Sequence, residues 1–127
     1  MTLLSAAPAE SDTRRDVLVV EDEMFIAMLV KELLSAAGYR VHEAARVDEA
    51  LAFLDTNAGV KAALLDINLN GEEVFPVARR LREMGVPFVF ASGYGRDGLP
   101  PEFSESAVLQ KPYLPDALRS AMAGLLA

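Results

Sequence analysis

The stretch "VLVVEDEMF", Val17 to Phe25, decides the fold and raises the functional question. Four apolar, mostly β-branched residues read as a buried strand, and Glu21, Asp22 and Glu23 follow before an apolar helical pattern begins. Three like charges at a buried strand tip repel one another and lose solvation, so something positive has to sit there. A lone acidic run before a helix is ordinarily capping and dipole compensation, and only the rest of the chain decides between the two.

The same strand-then-helix unit recurs outward from this stretch. "DVLVV" leads into "EMFIAMLVKELLSAAG", where Ile26, Leu29, Val30, Leu33 and Leu34 recur at helical spacing and Gly38 closes the helix. "YRVHEA" is a second, more polar strand, and "RVDEALAFLDT" a helix with Val47, Ala50, Leu51 and Leu54 on one face. "KAALLDI" is a third strand, followed by a helix "EVFPVARRLREMG" with Pro76 in its first turns and Gly85 at its end. "VPFVFAS" is a fourth strand that begins only after Pro87. In "GYGRDGLPPEFSES", three glycines and two prolines leave room for at most a short or irregular fourth helix. "AVLQ" is the fifth strand, and "YLPDALRSAMAGLLA" a last helix striped by Leu114, Leu118, Ala121, Met122 and Leu125. This alternation predicts an α/β fold: a doubly wound, five-stranded parallel sheet covered by helices on both faces.

At 127 residues, with 52% hydrophobic and 24% charged residues, the chain has material for one domain with a real core. Residues 1–15 read as a flexible tail and 16–127 as the domain. The net charge of −7 disfavours nucleic acid and anionic membrane as partners, and no apolar run approaches the roughly 18 residues of a membrane helix. The absence of cysteine excludes disulfides and thiolate chemistry and fits a reducing, cytoplasmic setting.

In doubly wound sheets the binding crevice lies at the carboxyl ends of the strands. Glu21 and Asp22, Asp66, Ser92 and Lys111 occupy the ends of strands one, three, four and five. Each alone has an ordinary reading, as cap, solvated strand end, turn residue or surface lysine; their joint placement points to one shared site. Converging carboxylates of Asp22 and Asp66 suit Mg²⁺, with Mn²⁺ as a substitute. Asp66 can act as a nucleophile toward a phosphoryl group, Lys111 can balance its charge, and Ser92 can donate a hydrogen bond to it.

With these residues in place, the chain from Asp16 to Ala127 resembles the receiver domain of two-component response regulators. The resemblance rests on "VLVVEDE", "LLDINLNGE", "FASG" and "LQKPY". It implies a flavodoxin-like (βα)5 sheet of strand order 2-1-3-4-5, with Asp66 as phosphoacceptor and Asp22 as direct metal ligand. It also implies Glu21 holding metal-bound water, the Asn68 backbone carbonyl as a ligand, and a cis peptide before Pro112. The implied donor is a sensor histidine kinase or histidine phosphotransfer protein, and the output a downstream protein partner.

The departures from the family pattern are specific. The aromatic switch position three residues before the lysine is Val108. "FASGYG" resembles the Phe-Ala-Thr-Gly-Tyr type of single-domain regulators found mainly in alphaproteobacteria. The expected switch therefore comprises Ser92, Gly93, Tyr94 and Val108, with Tyr94 as moving aromatic and the segment from Gly93 to Pro101 ordered by phosphorylation. Phe25 and Met28, off the main stripe of the first helix, are candidates for partner docking. His42 reads as structural, and Arg79, Arg80 and Arg82 as a solvated helix end. Since the chain ends after the fifth helical segment, a stand-alone phosphoacceptor is expected, acting by partner binding or as a phosphate sink, and the degenerate fourth helical segment, which weakens the usual receiver dimer face, points to a monomer. Two other classes compete: a binding module independent of phosphorylation, and a Mg²⁺-dependent aspartyl phosphohydrolase. The second lacks the usual acid two residues after the nucleophile, where Asn68 stands.

Overall fold

The computed structural model describes residues 14–127. Five parallel strands form the sheet: β1 (Asp16–Val20), β2 (Arg40–Ala44), β3 (Ala62–Asp66), β6 (Phe88–Ser92) and β7 (Val108–Gln110). Their order is β2-β1-β3-β6-β7, the expected 2-1-3-4-5 once an intervening hairpin is set aside. Four α-helices cover it: α1 (Met24–Ala36), α2 (Val47–Thr56), α3 (Phe75–Met84) and α4 (Pro115–Leu126). Among the described residues no helix is long and apolar enough to cross a membrane.

The period-2 alternation of the strands builds two cores. Leu18, Val20, Ala63, Leu65 and Phe90 face α2 and α3 residues such as Leu54, Val77 and Leu81, all buried. Val17, Val19, Ala62, Leu64, Val89 and Ala91 face Val30 and Leu34 of α1 and Leu118 and Met122 of α4. Both faces being covered, the central strands are apolar except at their end residues, as in other parallel sheets. His42 is structural, as expected: Nε2 lies 2.9 Å from Asp16 Oδ1 and the ring sits beside Phe53, centroids 4.8 Å apart.

Several expectations are corrected. Leu29 is 57% exposed and Leu114 is 74% exposed, so neither belongs to its helix's buried stripe. Leu114 is the N-cap of α4, ahead of the turn that packs, and Ala27, Val30 and Leu34 carry the inner face of α1. The α3 helix starts at Phe75, because a small hairpin of β4 (Asn68–Leu69) and β5 (Glu72–Glu73) precedes it. Asn70 and Gly71, with φ of 55° and 93°, make its two-residue turn, the backbone that Asn-Gly favours. Arg15, assigned to the tail, is tied down: its carbonyl accepts the Arg40 N–H at 2.8 Å, and its guanidinium donates to the Leu126 carbonyl at 3.1 Å. The rest of the expected tail, residues 1–13, lies outside the described residues.

The segment after β6 forms turns and a single 3₁₀ turn, Pro101–Phe103, in place of a fourth crossover helix. Gly95 and Gly98 take positive φ, and the paired prolines cannot supply helix amides. It is nonetheless anchored. Phe103 is fully buried among Phe75, Phe88 and Phe90, with ring centroids 5.4–6.0 Å away. Arg82 lies over the Phe103 ring at 4.4 Å and donates to the Glu102 carbonyl at 2.9 Å; Arg79 Nε donates to Glu102 Oε1 at 2.5 Å. These arginines were expected to be merely solvated; two of them clamp the segment to α3, and Arg80 pairs with Asp55 of α2. Truncating Phe103 to alanine therefore removes the anchor and leaves a cavity, at a cost of about 3–5 kcal/mol. Urea unfolding measures this, and Arg79→Ala, an exposed partner, changes stability by less than about 1 kcal/mol.

Candidate functional site

β1 and β3 are neighbours although β2 intervenes in the chain, so the crossovers diverge there and open a crevice at their carboxyl ends. Glu21 continues the ladder one residue past β1, its N–H donating to the Ala44 carbonyl at 3.0 Å. Its side chain turns inward and is 5% exposed, while Asp22 is half-buried. Asp66, the last residue of β3, is 9% exposed. One carboxylate oxygen from each of Glu21, Asp22 and Asp66 lies within 4.8 Å of the other two.

Lys111 follows β7 and is aimed by its backbone, whose N–H donates to the Ser92 carbonyl at 2.8 Å. Its Nζ lies 3.0 Å from Glu21 Oε1 and 3.3 Å from Asp66 Oδ1. The peptide from Lys111 to Pro112 is cis. Glu21 Oε2 accepts the Glu23 N–H at 3.1 Å. Glu23, the N-cap of α1, makes no capping bond with its own side chain, so capping does not account for the acidic run.

The electrostatics follow from burial and crowding. Burial pushes Glu21 up to about 7; the Glu23 N–H and Lys111 oppose this, and the negative charge of Asp66 adds to it. Burial also raises Asp66 above the ordinary aspartate value, against the pull of Lys111. Burial lowers Lys111, but its hydrogen bond to Glu21 and the charges of Asp66 and Glu21 outweigh this and leave it above the usual lysine value. Three carboxylates against one ammonium leave a formal charge of 1 − 3 = −2 in a mostly buried site. Two oxygens bound to one Mg²⁺ are at most about 4.2 Å apart, so small side-chain rotations would let a divalent cation bridge this set.

Ser92 ends β6, is 5% exposed, and its Oγ accepts the Tyr94 N–H at 3.0 Å. That leaves the hydroxyl proton for a ligand. The sites converge on one open cleft of about 1040 Å³ whose lining includes Asp22, Asp66, Asn68, Ser92, Tyr94 and Lys111. Gly93 lines it too, and Asn68 reaches it from the hairpin, with its side-chain Oδ1 accepting the Gly71 N–H at 2.8 Å. Tyr94 is 83% exposed and unpacked at the rim.

The remaining expected positions lie elsewhere. Val108 pairs with Phe90 in register and packs on the aromatic core, away from the cleft. Phe25 and Met28 are 82% and 50% exposed on α1 and continuous in sequence with exposed Met24 and Leu29, outside the cleft lining. Sequence reasoning missed the hairpin lip, for which Asn70-Gly71 was the available signal, and Asp97, which also lines the cleft and carried no signal of its own.

The model of the response regulator receiver domain matches residues 17–123. The chain is 33% identical over 103 residues to the sensor kinase CckA of Brucella abortus, covering 76% of this chain and 11% of the relative. It is 32% identical over 119 residues to the aerobic respiration control protein ArcA of Escherichia coli, covering 87% and 48%. The chain thus spans about half the length of ArcA and about a tenth of that of CckA. Among solved structures, SdrG from Sphingomonas melonis Fr1 superposes with a TM-score of 0.77 at 38% identity, over 90% of this chain and 98% of that one. The BeF3-activated conformation of SdrG gives 0.74 at 38% identity, over 88% and 96%. The aspartate at the tip of β3, the acids after β1 and the lysine after β7 stand in a matching sheet within a matching sequence model, and the chain belongs to the response regulator receiver domain family.

Proposed function

We propose that the protein accepts a phosphoryl group on Asp66 from the phosphohistidine of a sensor histidine kinase or histidine phosphotransfer protein. The observation that carries this reading is Lys111 Nζ lying within 3.3 Å of both the Glu21 and Asp66 carboxylates. An Asp66 oxygen forms the new O–P bond while the donor's N–P bond breaks, and that bonding pair stays on the imidazole nitrogen. Lys111 then balances charge on the phosphoryl oxygens, and the Ser92 hydroxyl donates to one of them. Asp22, Asp66 and the Asn68 carbonyl would hold Mg²⁺, or Mn²⁺ in its place, with Glu21 acting through water. The ion, when bound, neutralises the carboxylates and the incoming phosphoryl oxygens.

Phosphohydrolase turnover of outside substrates is disfavoured, since Asn68 has no acidic proton and its side-chain oxygen is engaged by Gly71. The output we assign is binding of a downstream protein by a monomeric, cytoplasmic domain within residues 16–127. The similarity covering 98% of the SdrG chain supports the single-domain reading. The anchoring of Phe103 narrows the responsive segment to Gly93–Pro100. Its link to the site is the Tyr94 N–H on Ser92 Oγ.

Incubation with acetyl phosphate and Mg²⁺, read by intact mass, should give one phosphoryl adduct on the wild type. Asp66→Asn and chelator should abolish it, and Lys111→Met should slow it about 100-fold; an adduct that survives Asp66→Asn contradicts the assignment. Because burial raises Asp66, its charged form weakens the fold, so Asp66→Asn should raise the thermal midpoint of the metal-free protein at neutral pH. Amide relaxation with beryllofluoride and Mg²⁺ should change across Tyr94–Gly98 and stay constant across Glu102–Ser104; constant relaxation at Tyr94–Gly98 rules out the proposed switch.

A further inference from the structure

The helix α2 begins without help from its own N-cap. Arg46 holds that position in extended backbone and makes no side-chain capping bond, so the first amides of the helix need acceptors from elsewhere. One acceptor comes from far along the chain: Glu72 Oε1 in β5, 25 residues on, accepts the Val47 N–H at 3.4 Å. A carboxylate at a helix N-terminus is favoured by the helix dipole, and here it joins two elements as well as satisfying an amide.

The element it joins to α2 is the hairpin that forms one lip of the cleft. Each of its strands has only two residues, and a ribbon that short is not stable by itself. Leu69 seats β4 in the core cluster that also holds Val47, and the Val74 N–H closes the base of the hairpin on the Ile67 carbonyl at 3.0 Å. β5 has no buried residue, so its hold on the body of the domain through a side chain is the Glu72 bond. Register carries that restraint to the site. Leu69 faces Glu72 and Asn68 faces Glu73 across the ribbon, and Asn68 Oδ1 accepts the Gly71 N–H at 2.8 Å. A shift of β5 therefore moves the peptide of Asn68, two residues after Asp66.

Resting on the reading in which the Asn68 carbonyl is a metal ligand, we propose that Glu72 is a positioning residue for Mg²⁺. By accepting the first amide of α2, it holds the hairpin where the Asn68 carbonyl completes the site begun by Asp22 and Asp66. Glu72 does not itself line the cleft, so it acts through the hairpin. Its acceptor oxygen carries the role, and its charge is incidental.

Mg²⁺ titrations followed on the amides of Asp22 and Asp66 test this. Glu72→Ala removes the acceptor and should weaken Mg²⁺ binding about 5-fold. Glu72→Gln keeps an acceptor oxygen without the charge and should bind within about twofold of wild type. Val47→Pro removes the donor instead, since proline fits the first helical position and the extended Arg46 suits the residue before it. It should weaken Mg²⁺ by a similar factor, and combined with Glu72→Ala the loss should not exceed that of either substitution alone. Unchanged affinity in Glu72→Ala, a glutamine variant as weak as the alanine variant, or a double variant whose losses multiply overturns the inference. Glu72 is exposed, so the alanine and glutamine pair decides the matter even if Val47→Pro fails to fold. A wild type with no saturable response overturns the metal reading and this inference with it, whereas a saturable wild type leaves that reading standing whatever the Glu72 variants do.

Discussion

The structure depends on one unequal electrostatic balance, three carboxylates gathered around a single ammonium. Two like charges about 4 Å apart repel by about 4 kcal/mol at an effective dielectric constant near 20, and burial adds to this. Lys111 reaches Glu21 and Asp66 but leaves the site two charges short of neutral. The raised values of Glu21 and Asp66 express the same imbalance. Such an imbalance favours a cation at the site, and the sheet supplies the rigidity. Its strand ends, pinned by the Glu21 to Ala44 and Lys111 to Ser92 backbone bonds, prevent the acids from moving apart.

In the proposed signalling role, the same rigidity would direct how a change at Asp66 leaves the site. With Val108 where the family carries an aromatic switch, no ring on β7 is available to flip. The aromatic mass is instead in Phe75, Phe88, Phe90 and Phe103, a closed cluster that Arg82 covers from outside. One end of the segment after β6 is thereby fixed, and the other ends on the Ser92 hydroxyl through the Tyr94 amide. A tether between a reactive site and a fixed anchor, rich in glycine and poor in apolar contacts, is the element most readily shifted by a new hydrogen bond.

Much of this was legible in the sequence, for physical reasons. Strands buried on both faces have no choice but to be apolar, so β1 and β3 announce themselves, and polar residues at their ends stand out against that background. Helical periodicity was less decisive. Leu29 and Leu114 are apolar at plausible core positions yet exposed, because the angular position of a helix on the sheet is set by tertiary packing, which a single-strand pattern does not encode. The Asn70-Gly71 hairpin was readable from its turn chemistry but hidden by the helical pattern that follows it. The clamp of Arg79 and Arg82 on Glu102 and Phe103, and the bond from the Val47 amide to Glu72, join residues through the fold, and nothing in their local sequence marks the pairing.

The most direct test of the central claim is a Mg²⁺ titration of the wild type and Asp22→Asn, followed by backbone amide shifts. A saturable response confined to Glu21–Glu23, Asp66–Asn68, Ser92 and Lys111 in the wild type, and lost in the variant, is the result expected from carboxylates gathered for a cation. Shifts that never saturate, or that persist unchanged in Asp22→Asn, would contradict it.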